Sequence, residues 1–421
     1  MIEAPHHPWD KVREEGLALS TPTPRTITLL QQIPPRIIPK ILEICQEQNL
    51  PVRDIVPVGS AFRNTMLRQK TEIDLFVRFE TRNRTVLVKF AEQIIGRLAL
   101  ALDCPYEIRY AENPYGTLFY KDASLGLVVP IDVVATIWIE SLEDLRTVLP
   151  LSGMARTPFH MTVLSGLIRG LESEVRLFKF WCQKKRLYGQ CAFTGFLAEL
   201  LVYRFKNFEA ILQKAEEITK LRWDPSPELR SPQILSDLFS HDLIVIIDPI
   251  DVKRNAAAGI QGEMGKINLR RFVSEARKNL DAPEGCWVQY DLSPPYFKIS
   301  IEFASEIKIK NEDEVLGRKI SVINTMCRVF SENRNQVLDA YISQGDVYIK
   351  PKRIEKEVYE RRGPPLNNKQ DINRFTERNP DSYERSGRLW VRDTFPASED
   401  LLHQLIDFRP DFKTKIVLVN S

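Results

Sequence analysis

The sequence predicts an α+β fold built from a mixed strand-and-helix segment, a helical segment and a second, smaller sheet. Strand and helix patterns alternate over residues 50–140, and apolar residues at helical spacing dominate from 155 to 240. A β-α-β-β order follows between Tyr296 and Ile349. A chain of 421 residues is long enough for roughly two to four domains, each with its own core.

The elements of the first segment follow from residue patterns. Residues 26–49 have helical spacing, and we expect Pro34-Pro35 to break or start that helix. Runs rich in β-branched and aromatic residues predict five strands, with one helix between the second and the third. The strands are Ile55–Val58, Ile73–Phe79, Tyr106–Tyr110, Gly116–Tyr120 and Leu125–Val134, and the helix is Thr85–Leu100.

The later elements are predicted in the same way. Apolar residues recur at helical spacing in four stretches, and an alternating strand precedes a hairpin around Ser343-Gln344-Gly345. Beyond the hairpin the chain is polar and rich in Arg, Asn and Pro until a last helix. The helices are around Glu174–Trp181 and Gly195–Leu201, then Leu269–Leu280, Glu312–Ser331 and Ser398–Ile406, and the strands are Tyr296–Phe303, Val337–Ile342 and Asp346–Ile349.

Composition and charge limit the function classes. An apolar content of 43% and a charged content of 27% are ordinary for a soluble globular protein. Basic residues exceed acidic ones by only 59 − 56 = 3, but the stretch from Lys352 to Arg392 holds 11 basic and 7 acidic residues. Such a stretch suits a nucleic-acid backbone, and it equally suits a solvated basic loop.

The cysteines and the N-terminus bear on the cellular compartment. The six cysteines form no CxxC pair and have no histidine at metal-ligand spacing, and several lie in apolar runs. Buried free thiols in a reducing compartment are the favoured interpretation. The start of the chain lacks the pattern of a signal peptide, and no apolar run approaches about 20 residues. We therefore expect a cytoplasmic protein without a membrane span.

The strongest chemical signal is Glu72-Ile73-Asp74 on an apolar strand. Carboxylates at i and i+2 of a strand point to one face, and burying them unpaired is costly. A third acid, Asp132, interrupts the apolar run Leu127–Val134. Three acids that converge on two Mg²⁺ ions avoid that cost. The pattern predicts two-metal nucleotidyl transfer, with Glu72, Asp74 and Asp132 as catalytic metal ligands.

The turn Gly59–Thr65 precedes these acids and predicts a triphosphate site. Gly59 and Ser60 free backbone N–H groups that can hold a phosphate, and Arg63 can add charge-assisted hydrogen bonds. An ordinary turn with a surface arginine is the alternative. The order G-S-x-x-R-x-T followed by E-x-D on a strand favours the phosphate site.

These motifs carry a resemblance that covers nearly the whole chain. The chain resembles the archaeal-type (class I) CCA-adding enzymes, the tRNA nucleotidyltransferases of the polymerase-beta-like superfamily. Besides the two motifs above, the matching landmarks are Tyr106–Glu112, Asp132–Val134, Arg156–His160, Glu174–Leu177 with Lys179, Tyr188-Gly189, Asp248–Asn255 and Arg361–Pro364.

The resemblance implies a domain order and an activity. It implies a polymerase-beta-like nucleotidyltransferase palm in a head (1–150), followed by a helical nucleotide-binding neck (151–255) and α/β body (256–355) and tail (356–421) domains. The body and tail would cradle the acceptor stem and TΨC arm of tRNA. The enzyme would use CTP, ATP and Mg²⁺ to build the CCA end and would release pyrophosphate.

The resemblance also implies roles for residues of the neck. Arg254 matches the arginine that reads the Watson–Crick edge of CTP or ATP together with the tRNA backbone. Each neck residue, taken alone, also fits a structural role, such as a core histidine, a snorkelling lysine, a helix-end tyrosine or a solvated arginine. The residues that match positions holding the triphosphate and sugar are Thr157, His160, Lys179 and Tyr188, alongside Gly59, Ser60 and Arg63.

The chain departs from the family pattern in three places. Asn113 stands where a histidine is frequent, Ala256 stands where valine is usual, and the segment after Trp390 looks shortened. The shortened tail leaves open a related nucleotidyltransferase that acts on another RNA or makes a signalling oligonucleotide. An RNA-binding protein with an inactive palm is a further alternative, which the intact acid triad disfavours. The oligomeric state stays open, with a homodimer as one option.

Overall fold

The computed structural model describes residues 8–81, 83–110, 114–122, 126–147, 153–225, 239–303, 312–407 and 412–420. The chain divides into two compact units, Met1–Tyr290 and Asp291–Ser421. The finer division into head, neck, body and tail stays a prediction. Asn113 lies outside the described residues, as does Leu125 at the start of a predicted strand.

Two helices open the larger unit, α1 (Pro8–Ser20) and α2 (Pro24–Glu47). Helix α2 continues through Pro34 and Pro35, so the prediction that this pair would break or start a helix is wrong. One apolar face of α2 is buried in the core, and tertiary packing of this kind outweighs the hydrogen bonds that the prolines remove. The buried apolar residues of that face include Leu29, Leu30, Ile33, Ile37, Ile41 and Ile44.

Five strands form the first sheet, and all five predicted strands belong to it. They are β1 (Val52–Val58), β2 (Ile73–Phe79), β3 (Tyr106–Tyr110), β4 (Pro114–Asp122) and β5 (Leu127–Ile137). The order is β1-β2-β5-β4-β3, in which β2 and β5 run parallel and the other neighbours run antiparallel. The predicted helix before β3 forms as α3 (Arg84–Lys89), a π-helical turn (Phe90–Ile94) and α4 (Ile95–Ala101).

The two faces of this sheet have different neighbours. One face shares a buried apolar cluster with α2 and α4, and that cluster includes Leu75 and Val77 of β2. Because strand side chains alternate, Asp74 and Phe76 lie on the other face, where Phe76 and Val134 form a small cluster with Met161. The acids of β2 and β5 therefore face the helical segment that follows the sheet.

The helical segment is centred on one buried helix. The described residues of the segment form the helices α5 (Leu142–Thr147), α6 (Gly153–Leu167), α7 (Glu172–Lys184), α8 (Gly195–Phe205), α9 (Phe208–Gln213), α10 (Ala215–Ile218) and α11 (Gly262–Asp281). Residues 174–182 of α7 are buried without interruption. The rings of Phe178 and Trp181 pack against Phe272 of α11, at centroid distances of 6.4 and 5.9 Å. A short parallel pair, β6 (Arg222–Trp223) and β7 (Val245–Ile246), and a 3₁₀ turn (Pro283–Trp287) complete the unit.

The smaller unit contains two sheets. The first consists of β8 (Tyr296–Phe303), β9 (Val337–Ser343), β10 (Asp346–Pro351) and β14 (Phe412–Val419), in the order β14-β8-β10-β9, with α12 (Glu312–Glu332) between β8 and β9. The predicted β-α-β-β order is confirmed, and its hairpin turns at Gln344 and Gly345, whose φ angles are 49° and 85°. The last strand, β14, was not predicted.

The polar stretch of the smaller unit folds into a second, three-stranded sheet of order β11-β13-β12. Its strands are β11 (Glu357–Pro365), β12 (Tyr383–Arg385) and β13 (Arg388–Phe395), and its helix is α13 (Lys369–Arg378). Helix α14 (Ser398–Asp407) follows it, as predicted. In the part of the chain that the structure describes, no helix is both long and apolar enough to cross a membrane.

Candidate active site

The structure brings the three predicted carboxylates together at the sheet face that looks toward α6. Asp74 and Asp132 lie directly opposite each other on the parallel strands β2 and β5, and Glu72 immediately precedes β2. Burial, followed by the charges of Glu72 and Asp132, raises the pKa of Asp74 to about 7. Burial also raises the pKa of Asp132, although a hydrogen bond from Thr117 opposes it. The folded chain therefore disfavours full ionisation of this cluster.

Only part of this negative charge is balanced by neighbouring groups. Lys70 Nζ lies 2.8 Å from Glu72 Oε1, and Thr117 Oγ1 donates a hydrogen bond of 2.6 Å to Asp132 Oδ1. Among the described residues, no set of three or more acids, histidines or cysteines is already arranged to hold a metal ion. The donor set nevertheless consists of the hard oxygens that Mg²⁺ prefers, and a divalent cation would offset both the burial and the mutual repulsion that raise the pKa values of Asp74 and Asp132. The residues fit such an ion if Lys70 leaves Glu72.

The loop before β2 approaches these acids closely because it contains Gly59. Gly59 has a φ of +86°, and a β-carbon on it would collide with Asp74 Oδ2. The loop then closes on itself, since Arg63 N donates to Gly59 O (3.3 Å) and Thr65 N donates to Ser60 O (2.9 Å). Gly59 and Ser60 therefore stand next to the carboxylate cluster, where a triphosphate site was predicted.

Arg63 and Lys179 share one buried carboxylate, Glu199 of α8. Arg63 donates through Nε (3.0 Å) and Nη2 (3.3 Å), and Lys179 Nζ donates to Oε1 at 2.8 Å. Thr65 Oγ1 donates to the same oxygen at 2.7 Å. Burial alone would raise the pKa of Glu199, but Lys179 and Arg63 overcome burial and lower it. Lys179 is therefore neither a snorkelling lysine nor, in this geometry, a free phosphate ligand.

A second buried carboxylate, Asp248, joins His160 to Arg254. His160 Nε2 lies 2.9 Å from both oxygens of Asp248, and Arg254 Nη1 donates to Oδ2 at 2.6 Å. Burial would raise the pKa of Asp248, but the hydrogen bond and charge of His160, the Ile250 N–H group and the Arg254 charge lower it. The Arg254 guanidinium lies 5.3 Å from the ring centroid of Phe196, and its side chain remains 37% exposed.

The two remaining predicted neck residues lie beside these clusters. Thr157 is half-buried on α6, one turn before His160. Tyr188 is half-buried, and burial followed by the nearby Glu199 raises the pKa of its hydroxyl well above the usual range. Gly195 leaves room for it, because a β-carbon there would lie 2.9 Å from the Tyr188 hydroxyl. All predicted site residues therefore lie in the larger unit.

Sequence reasoning missed Glu199 and the pairing of Asp248. Glu199 interrupts an apolar run of α8, and this isolated acid is the signal that could have revealed it. Asp248 was noted only as part of a matching landmark. Arg63 is 136 residues from Glu199 and His160 is 88 residues from Asp248, so spacing along the chain could not predict these two contacts.

We expect Gly59→Ala to destabilise the fold more than Gly170→Ala. Both glycines have a positive φ, +86° and +79°, and the left-handed region costs alanine about 1–2 kcal/mol. Of the two, only Gly59 would bring the new methyl into collision with a carboxylate, because no atom of the described residues lies within 4 Å of a β-carbon at Gly170. Urea unfolding of the two variants measures the difference. Equal losses in the free energy of unfolding would contradict this expectation and would mean that Asp74 moves aside without an energetic cost.

Two family models match the larger unit. The model described as "Nucleotidyltransferase domain" matches residues 38–147, and the model described as "tRNA nucleotidyltransferase, second domain" matches residues 173–288. The first match contains the carboxylates and the Gly59–Thr65 loop. The second contains Glu199 and Asp248, together with α8 and α11.

Several archaeal proteins named CCA-adding enzyme are similar in sequence. The protein of Archaeoglobus fulgidus is 32% identical over 55% of this chain and 48% of its own length, and that of Halobacterium salinarum is 35% identical over 50% and 43%. These alignments span about half of each relative. The alignment with the protein of Methanocaldococcus jannaschii, at 27% identity, covers 96% of this chain and 90% of that protein.

Solved structures show the same fold at low sequence identity. A cytoplasmic RNA terminal U-transferase has a TM-score of 0.51 at 12% identity and covers 68% of this chain and 100% of its own. Cid1 in complex with its short product ApU has a TM-score of 0.51 at 13% identity, with coverages of 68% and 99%. The chain therefore contains a nucleotidyltransferase domain followed by a tRNA nucleotidyltransferase second domain, and it is similar over nearly its whole length to an archaeal protein named CCA-adding enzyme.

Proposed function

We propose that this chain adds C, C and A to the 3′ end of tRNA from CTP and ATP, without a nucleic-acid template, and releases pyrophosphate. The observation that carries the proposal is the meeting of Glu72, Asp74 and Asp132 beside the Gly59–Thr65 loop. The family of nucleotidyltransferases to which the chain belongs generally uses divalent metal ions. The name shared by its archaeal relatives supports tRNA as the acceptor.

For the metal we propose Mg²⁺, held by the oxygens of Glu72, Asp74 and Asp132. When bound, the metal polarises the α-phosphate and balances the charge of the departing pyrophosphate. The chain itself holds Asp74 and Asp132 at one sheet face, and Gly59 lets the loop approach Asp74 closely. Lys70 Nζ, which lies 2.8 Å from Glu72 Oε1, would have to leave Glu72 for that carboxylate to hold the ion.

For the nucleotide we propose binding along the face between the sheet and the neck helices. Ser60 and Arg63 would bind the triphosphate, with Lys179 exchanging one of its present hydrogen bonds to join them. His160, Thr157 and Tyr188 would hold the sugar and the phosphates. These roles rest on the family resemblance together with the proximity of these residues to Glu199 and Asp248.

Arg254 is our proposed base-reading residue, because of its donors and exposure. Arginine only donates hydrogen bonds. Cytosine and adenine both present a ring-nitrogen acceptor on the Watson–Crick edge, whereas uracil and guanine present an N–H group at the equivalent position. One Arg254 nitrogen is held by Asp248, and the partly exposed guanidinium keeps further donors for a base. This arrangement favours CTP and ATP.

For the tRNA we propose contacts of the body and tail with the acceptor stem and TΨC arm. A-form RNA is recognised by shape and by its phosphates and 2′-hydroxyls. Among the basic residues of the stretch from Lys352 to Arg392, Arg361 donates to Asp393 and Asn379, and Arg353 donates to backbone carbonyls, so both stabilise their own fold. Lys352 and Arg362 are exposed and are therefore the better phosphate ligands.

One assay tests the proposal. The protein is incubated with Mg²⁺, labelled CTP or ATP, and tRNA transcripts that end before the first C, after C or after CC. Ordered incorporation of two C residues and one A supports the proposal. Incorporation that does not depend on tRNA indicates a transferase with another acceptor, and RNA binding without incorporation indicates an inactive palm.

We expect Asp74→Asn and Asp132→Asn to lower nucleotide incorporation at least about a thousandfold, because each removes a metal ligand. Neither variant should weaken tRNA binding. An acid whose folded pKa is raised destabilises the fold once pH exceeds its unfolded value near 3.9. Because the pKa of Asp74 is raised to about 7, we expect the metal-free Asp74→Asn variant to melt no lower than the metal-free wild type above pH 7. Wild-type incorporation rates would contradict the metal assignment.

We expect Arg254→Ala to lower the preference for CTP and ATP over UTP and GTP by about tenfold or more, because a charge-assisted hydrogen bond contributes about 1.5–3 kcal/mol. The measurement is the ratio of kcat/KM for CTP and ATP to that for UTP and GTP. Lys253→Ala is the matched control, because Lys253 is exposed and its substitution removes one positive charge next to Arg254. An unchanged ratio in Arg254→Ala would exclude this residue from base reading.

A further inference from the structure

Glu199 holds two of the proposed triphosphate ligands on one carboxylate. Its side chain is fully buried, and it accepts hydrogen bonds from Arg63, Lys179 and Thr65. We propose that Glu199 is a positioning residue for the nucleotide triphosphate, which aims Arg63 and Lys179 and fixes the Gly59–Thr65 loop between them. The proposal rests on the proposed function, because it presumes that this loop binds a nucleotide.

The geometry of the Arg63 contact gives the guanidinium one orientation. Nε and Nη2 both bond to Glu199, and a two-point contact of this kind fixes the plane of an arginine. Nη1 is left on the other side, 3.8 Å from the sulfur of Met161. Arg63 also lies close enough to Asp74 for its charge to oppose the rise in that pKa. Its charge therefore reaches the carboxylate cluster beside which the triphosphate would bind.

The Lys179 contact ties the loop to the neck. Lys179 Nζ has three hydrogens, and three acceptors lie within 3.4 Å: Glu199 Oε1, Thr65 Oγ1 and Thr65 O. Thr65 is the last residue of the loop and itself donates to Glu199. The loop, α7 and α8 are thus joined by one buried network. Networks of this kind are rigid when every member is satisfied.

The charge balance of the network also matters for a phosphate. Arg63 and Lys179 supply two positive charges, and Glu199 supplies one negative charge. The three groups together therefore carry one net positive charge, and both buried cations are stabilised by the same carboxylate. Without Glu199, two cations would stand close together in a low-dielectric site, which favours their separation or the loss of a proton. Glu199 thus makes it possible to keep both cations beside the nucleotide.

A matched control separates positioning from simple stabilisation. Glu174 of α7 is also a buried helix glutamate, and it accepts hydrogen bonds from Arg13 and from Phe208 N. Neither of these donors belongs to the loop or to the proposed nucleotide site. Glu174→Gln should therefore lower stability without changing nucleotide affinity, whereas Glu199→Gln should change both.

The experiment measures binding of CTP, ATP and tripolyphosphate to the full chain without RNA, by calorimetry, for wild type, Glu199→Gln and Glu174→Gln. We expect Glu199→Gln to weaken all three ligands by the same factor, about tenfold to a hundredfold, because the phosphate contacts are lost and the base contacts remain. In the incorporation assay, KM for the nucleotide should rise by a similar factor, and kcat should fall less.

The possible outcomes are distinct. If the wild type binds neither CTP nor ATP, the proposed function fails. If the wild type binds them and Glu199→Gln binds equally well, or Glu174→Gln weakens binding as much, the positioning role is refuted. If Glu199→Gln does not fold, Glu199→Asp replaces it, because the charge is kept on a shorter side chain that cannot reach both cations. A severalfold loss of triphosphate affinity is then expected, and unchanged affinity overturns the proposal.

Discussion

The constraint on which the site depends is the placement of carboxylates in a poorly solvated face between the sheet and the neck helices. Glu199 and Asp248 are compensated within the chain: Lys179 and Arg63 lower the pKa of Glu199, and the hydrogen bond with His160, together with the Arg254 charge, lowers the pKa of Asp248. Asp74 and Asp132 are compensated less, and the pKa of each is raised. The fold supplies enough positive charge for Glu199 and Asp248 but not for Asp74 and Asp132. An external cation would therefore be stabilised beside Asp74 and Asp132.

Helix α8 connects the surroundings of the two compensated carboxylates, Glu199 and Asp248. Its N-terminus is capped by Thr194, whose side chain accepts a hydrogen bond from Leu197 N. Phe196 then reaches His160 and Arg254, and Glu199, one turn later on a neighbouring face, reaches Arg63 and Lys179. One helical turn therefore contacts both the proposed base-reading and phosphate-binding groups, so a shift of α8 would move both together.

The sequence predicted those features that depend on local periodicity. The alternation of β2 and β5 placed Asp74 and Asp132 on faces that could meet, and the structure pairs them across parallel strands. Features that depend on distant contacts were not predictable: the buried face that keeps α2 helical through its prolines, the pairing of β14 with β8, and the partner of Lys179. A lysine among apolar residues indicates a hidden partner without identifying it, because the partner lies on another helix.

Two lysines near the site differ in how easily each ammonium group can be moved away from its carboxylate partner. Lys179 is 3% exposed and bound to fully buried Glu199, and breaking a buried pair by removing one partner costs about 3–5 kcal/mol. Lys70 is 58% exposed, and its contact with Glu72 belongs to the exposed class that contributes about 0–1 kcal/mol. A divalent ion at Glu72 therefore has only a weak competitor to displace. The Lys179 ammonium is held by its buried partner, whereas the Lys70 ammonium can give way to a metal ion. The chain can therefore fold with these carboxylates and without an ion, and still accept one.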